Sequence, residues 1–138
     1  MTKLLLSLHV LAAIIAIGPV TVAASMFPAV ARRSGVGERL HLLHRICRVY
    51  GVVGVAVPVF GLATANSLGV LGDAWLLTSM ALTAAAALIL GLLIIPGQTR
   101  ALAGQTVTRL GMVTGVFNLL WATVTVLMIV RPGSTTGA

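Results

Sequence analysis

Four stretches of this chain, residues 4–31, 49–72, 74–99 and 110–130, contain no Asp, Glu, Lys or Arg, and no other feature limits the fold as strongly. The shortest has 21 residues. At helical rise that is about 31 Å, close to one hydrocarbon thickness, so each stretch is long enough to cross a bilayer. A soluble domain carries roughly 25% charged residues. Here charged residues are 8%, hydrophobic residues 59% and mean hydropathy +1.12. The expected fold is all-α: an integral membrane four-helix bundle, antiparallel, a single domain over residues 1–138, with spans near 4–30, 49–67, 75–95 and 110–130. The first run follows Lys3 but outlasts the apolar core of a secretory signal, so it reads as a retained helix.

Only residues 31–50 look built for water. They hold Arg32, Arg33, Arg39, Arg45 and Arg48, with Glu38, His41, His44 and Cys47. Arg100 and Arg109 follow the third run, whereas the opposite side keeps only Lys3, Asp73 and Arg131. By the positive-inside rule the arginine-rich connections are cytoplasmic, and both termini face out. The net charge of +7 suits anionic lipid headgroups better than nucleic acid, because no aromatic or basic stripe forms a groove reader. The turn at 66–73 is tight, which makes spans two and three antiparallel neighbours. The tail, 132–138, rich in Gly, Ser and Thr, is expected to be short and disordered. The one cysteine makes no internal disulfide.

Helices in lipid associate by close backbone approach, so small residues mark the faces that meet. Span four carries Gly111, Gly115, Asn118, Ala122 and Thr125, including a literal GxxxG, and span two carries Gly51, Gly54, Pro58, Gly61 and Ala65. Both stripes are expected to face protein, as are Ser79, Thr83, Ala86 and Leu90 of span three and His9, Ala13, Ala16, Val20 and Ala23 of span one. Asn118 is costly in lipid and is expected to hydrogen-bond across the bundle or across a dimer interface. Trp75 reads as an outer aromatic anchor and Tyr50 as an inner one, while Trp121, mid-span, reads as packed on another helix. Pro19, Pro28 and Pro58 are expected to bend or end their helices.

His9 lies early in span one and, on the small-residue stripe, points inward. Antiparallel geometry brings Met80 and Met128 to similar depth. Histidine with methionine is a ligand set for haem or copper; the competing reading is an interfacial histidine bonded to a hydroxyl, with methionines as packing filler. His41, His44 and Cys47 form HxxHxxC. On a helix these steps spread over roughly 120°, so three ligands converge only with distortion, and no metal site is assigned. The stretch reads instead as the approach to span two, with His41, His44, Arg45 and Arg48 toward water and Leu42, Leu43, Ile46 and Cys47 toward lipid or protein. No Walker loop, paired carboxylates, HExxH or nucleophile set is present, so no catalytic residue is assigned and an enzyme is the less favoured reading.

The opening LLLSLHVLAAIIAIGP, the basic loop, the Gly-rich second span and the closing VLMIVRPG resemble uncharacterised four-span integral membrane proteins. The chain is also similar, more distantly, to copper-resistance D type membrane domains and to the bacterial membrane-bound protoporphyrinogen oxidase. That resemblance implies a bacterial inner membrane and, at His9, a haem b position; the oxidase's span-three lysine has no counterpart among residues 75–81. Two functions follow as expectations. One is a non-enzymatic accessory bundle, a homo-oligomer or subunit of a membrane complex. The other is a tetrapyrrole-handling or electron-transfer protein using His9, with copper or small-solute transport third.

Overall fold

The structure is a computed structural model that describes residues 2–131; the tail expected to be disordered lies outside the described residues. It is all-α, with no strand among the described residues. The helices are α1 (Thr2–Ser34), α2 (Glu38–Val53), α3 (Ala56–Leu68), α4 (Ala74–Ile89), α5 (Ile95–Leu102) and α6 (Leu110–Val130), with a π-helical turn, Leu90–Ile94, joining α4 to α5. They make four apolar rods, Thr2–Ser34, Glu38–Leu68, Ala74–Leu102 and Leu110–Val130, each long and apolar enough to cross a membrane.

The water-built stretch is almost wholly helical. α1 runs through Arg32 and Arg33, and α2 begins at Glu38, so the connection is three residues, with Gly35 at φ +66° ending α1 through a bond from its N–H to the Ala31 carbonyl (3.2 Å). A left-handed φ is strained for any residue with a Cβ, which is why glycine ends helices this way. Gly69 (φ +74°) closes α3 with a full Schellman pair: its N–H donates to Asn66 O at 3.2 Å and that of Val70 to Ala65 O at 3.1 Å. Val70 and Ala65 also touch as members of one apolar cluster, the hydrophobic contact such a turn uses.

The second and third rods are both interrupted, and proline explains each case. Pro58 has no N–H for the carbonyl of Gly54; Val57 N–H takes that acceptor instead (3.1 Å), tightening the chain where α2 gives way to α3. The third span is expected to end near residue 95. The rod continues to Leu102 instead, because the turn at Leu90–Ile94 widens to a π register in which Ile95 N–H bonds Leu90 O, and Pro96 falls at the start of the helix that follows.

α1 packs mainly on α2 and α3, α4 on α6, and α2 meets α5 at the arginine-bearing end. The main core, Val20, Ala23, Ala24, Phe27 and Val30 with Leu40, Leu43, Cys47, Ala86, Ile94, Leu110 and Phe117, draws on all four rods toward that end. A second cluster, Ala65, Val70, Trp75 and Leu76 with Met128 beside it, closes the opposite end. Trp75 is thus buried rather than a lipid-facing anchor: its indole N–H donates to Asp73 Oδ2 (3.1 Å) and Arg131 stacks 5.5 Å above its ring.

Span two faces inward largely as its small residues require. A Cβ on Gly54 would lie 3.9 Å from the Ala16 Cβ, and one on Gly51 3.3 Å from Leu90 Cδ2; Pro58 is exposed. Span four is rotated from expectation. Its buried face is Leu110, Thr114, Phe117 and Val124, with Trp121 packed beside them, while Gly111, Gly115, Ala122 and Thr125 are exposed. Large side chains fill the gap between α6 and α4, leaving the small residues outside. Gly69→Ala is expected to cost about 1–2 kcal/mol and to lower the Tm in mild detergent, whereas Gly18→Ala, in open helical surface, is expected to leave it level or slightly raised; equal Tm values for both would contradict the left-handed turn.

Candidate functional site

Polar side chains in so apolar a bundle are the residues on which any chemistry depends, and the arginine end holds a chain of three. His44, 9% exposed, lies on the buried stripe of α2 with Leu40, Leu43 and Cys47. Its Nδ1 is 2.9 Å from Gln98 Oε1, Gln98 Nε2 is 3.4 Å from Cys47 Sγ, and Cys47 Sγ is 4.0 Å from the carbonyl of Val20. A carbonyl oxygen only accepts, so His44 Nδ1 carries a proton. The bonds then run in one direction: imidazole to amide, amide to thiol, thiol to the α1 backbone.

The π turn makes this arrangement. Without the extra residue in that turn, α5 would be rotated by about 100° and Gln98 would leave the core. Gln98 and Cys47 are fully buried, and the chain joins α1, α2 and α5 with no charged partner. His44 was expected to face water. It is turned inward because Gln98 offers an acceptor and the facing backbones approach closely, while Leu42, expected on the apolar side, is exposed. His41 is exposed and stands apart from the other two. No group of three His, Cys, Asp or Glu that could hold a metal occurs among the described residues. Gln98 was missed from the sequence; the available signal was an amide inside the charge-free run 74–99.

Toward the N-terminus of α1, His9 Nδ1 donates to the Val57 carbonyl at 2.8 Å. Its ring lies against Gly61, where a Cβ would sit 2.9 Å from Cε1. Gly61 is therefore the residue that admits the imidazole between α1 and α3. Nδ1 is engaged by that bond, and Nε2 is the ring nitrogen left for any other partner. Met80 is exposed on α4, and Met128 packs beside the Trp75 cluster, so neither methionine shares His9's neighbours. Asn118 Nδ2 donates across the bundle to Ser25 Oγ of α1 at 3.0 Å.

Arg32, Arg33, Arg39, Arg45, Arg48, Arg100 and Arg109 are all exposed, and the helix ends that carry them gather at one end of the bundle. No family model, curated protein or solved structure matches the chain.

Gln98→Met keeps the bulk and removes both polar atoms, leaving the His44 N–H buried without an acceptor; a loss of about 1–3 kcal/mol in unfolding free energy is expected. Combining it with His44→Leu is expected to cost less than the two single losses added, by about 0.5 kcal/mol or more. Strict additivity in denaturant titrations followed by circular dichroism would mean that the two residues are uncoupled.

Proposed function

We propose that this protein is a non-enzymatic membrane bundle that self-associates through the exposed small-residue face of α6. It works as a scaffold or accessory subunit in a cell membrane, the bacterial inner membrane, with its arginine end toward the cytoplasm. The observation that carries the reading is the open space beside Gly115, where an added Cβ would meet nothing within 4 Å. Gly54 and Gly61 of the second rod are already used by Ala16 and His9 of α1. Gly115 is exposed instead, with Ala122 and Thr125 continuing its stripe, and Gly111, also exposed, has Pro28 of α1 4.0 Å from where its Cβ would be.

In hydrocarbon such a face has no hydrophobic drive to hide. What it offers is close backbone approach, and a GxxxG pair is its own complement when a second copy is related by a two-fold axis. A second copy is therefore favoured over a foreign subunit. The exposed arginines support the orientation, each near an anionic headgroup contributing about 1 kcal/mol of attraction.

Gly115→Leu is expected to weaken self-association in nanodiscs or mild detergent about tenfold or more, ~1.4 kcal/mol. Helix content and Tm are expected to hold, since the site faces outward. A wild-type chain that stays monomeric at high protein-to-lipid ratio, or a Gly115→Leu variant that associates unchanged, would overturn the proposal. A foreign subunit co-purifying in the place of a second copy would overturn the choice of partner.

A second reading has one observation in its favour. The bond from His9 Nδ1 to the Val57 carbonyl fixes the tautomer and orients the ring, the arrangement commonly found behind a histidine that ligates through Nε2. On that reading His9 holds a haem b for tetrapyrrole handling or electron transfer. Protein purified from a haem-replete membrane is then expected to show a stoichiometric Soret band, in oxidised and dithionite-reduced spectra, that His9→Ala removes. A colourless, folded protein would sink this reading and leave the first intact.

A further inference from the structure

Two clefts open among the exposed arginines at one end of the bundle. One is lined by Gly37, Glu38, Arg39, His41, Leu42 and Arg45. The other, of about 290 Å³, lies where the chain passes from α5 to α6 and is lined by Arg100, Gln105, Thr106, Val107, Thr108 and Arg109. Each cleft holds a pair of guanidinium groups, but the first also holds a carboxylate. Glu38 and Asp73 are the only acidic residues of the chain. Asp73 bonds Trp75 at the opposite end, so the second cleft has no negative side chain to answer its two arginines.

The backbone around this second cleft is tied down. Gly104, at φ +88°, ends α5 with its N–H on the Ala101 carbonyl and that of Gln105 on the Arg100 carbonyl, both 3.1 Å. The chain thereby doubles back beside Arg100, and Val107 packs onto the main core. Gly97, buried one turn before Arg100, makes the room. A Cβ there would meet Leu110 Cδ1 at 3.1 Å, Val107 Cγ1 at 3.8 Å and Arg100 Nη2 at 4.0 Å. The Arg100 guanidinium thus lies back along α5, near the residues that lead into α6. Neither it nor the Arg109 guanidinium has an ion pair or hydrogen bond among the described residues.

We propose that the cleft between α5 and α6 binds a phosphomonoester, taken from the headgroup of a membrane lipid of the phosphatidic acid class. A guanidinium presents a planar fork of N–H donors that meets phosphate oxygens in pairs, which the point charge of a lysine does not. The arginine end contains no lysine, since the one lysine of the chain is Lys3. A phosphomonoester brings about −1.5 to −2 charge and three acceptor oxygens, enough to engage both forks, whereas a phosphodiester offers a single charge. Thr106, Thr108 and Gln105 line the same space with neutral donors. The lipid as source rests on the membrane orientation proposed above, which sets this end at the level of the cytoplasmic headgroups.

Native mass spectra of the full chain, released from nanodiscs holding phosphatidic acid and phosphatidylglycerol in equal amounts, test this. Phosphatidic acid is expected to be retained in excess by about tenfold, the effect of one further hydrogen bond to a charged group. The pair Arg100→Gln, Arg109→Gln is expected to lose that preference. The pair Arg39→Gln, Arg45→Gln removes the same charge from the other cleft and is expected to keep it. Equal retention of the two lipids by the wild-type chain, or an equal loss in both glutamine pairs, would overturn the proposal, because net charge alone would then account for the binding. Should the first pair not fold, Arg100→Lys with Arg109→Lys decides: it keeps the charge and removes the forks, so an undiminished preference overturns the site. Displacement of the lipid by inorganic phosphate at matched concentration would overturn the lipid as source. Gly115→Leu is expected to leave the preference unchanged while it weakens self-association, so the two readings fail separately.

Discussion

Inside hydrocarbon a polar group has no solvent to fall back on, and a group left unpaired costs several kcal/mol. The irregular features of this bundle can be derived from that constraint. Helices satisfy the backbone, and the prolines that interrupt the second and third rods are each met by a repair. Val57 takes the acceptor that Pro58 abandons, and the π turn at Leu90–Ile94 carries the chain past Pro96 without breaking the rod. The same constraint draws the His9 ring onto the Val57 carbonyl and makes glycine necessary at position 61, where any side chain would collide with the imidazole.

Cohesion is distributed unevenly along the bundle. At the arginine end all four rods contribute to one core, and the His44, Gln98 and Cys47 chain ties α1, α2 and α5 across it. At the other end a small cluster around Trp75 is roofed by Asp73 and Arg131. Between these ends the rods associate mainly through dispersion and close approach, since lipid and leucine are equally apolar, with the bonds from Asn118 to Ser25 and from His9 to the Val57 carbonyl as polar ties. Directional polar contacts therefore decide which helices stay in register, far beyond their small number.

Much of this could be read from the residues. The four charge-free runs give the fold, and their small residues give the inward faces of spans one to three, because the close contacts seen at Gly54, with Ala16, and at Gly61, with the His9 ring, need small residues there. Periodicity failed at Gly111 and Gly115. The stripe there is real, but Leu110, Thr114, Phe117 and Val124 run beside it, and only the width of the gap to α4 decides which stripe turns in. His44 was misplaced because its partner, Gln98, lay beyond the expected end of the third span near residue 95. Trp75 was misplaced because an indole at a membrane boundary serves as an anchor or a plug, and the choice rests on Asp73 and Arg131, which are distant from each other in sequence.

The π turn has a consequence for how this rod tolerates change in length. It is in effect one residue more than an α-helix would use between Ile89 and Ile95, absorbed as a bulge. Removing a single residue there would let the turn relax to ordinary α geometry and swing everything downstream by about 100°, presenting Gln98 to lipid. Adding one elsewhere in the first half of the rod would turn Trp75 and Ser79 against Gln98 by the same angle. The third rod is thus keyed at both ends, and its length is held to the residue even though hydrophobicity alone would accept many lengths.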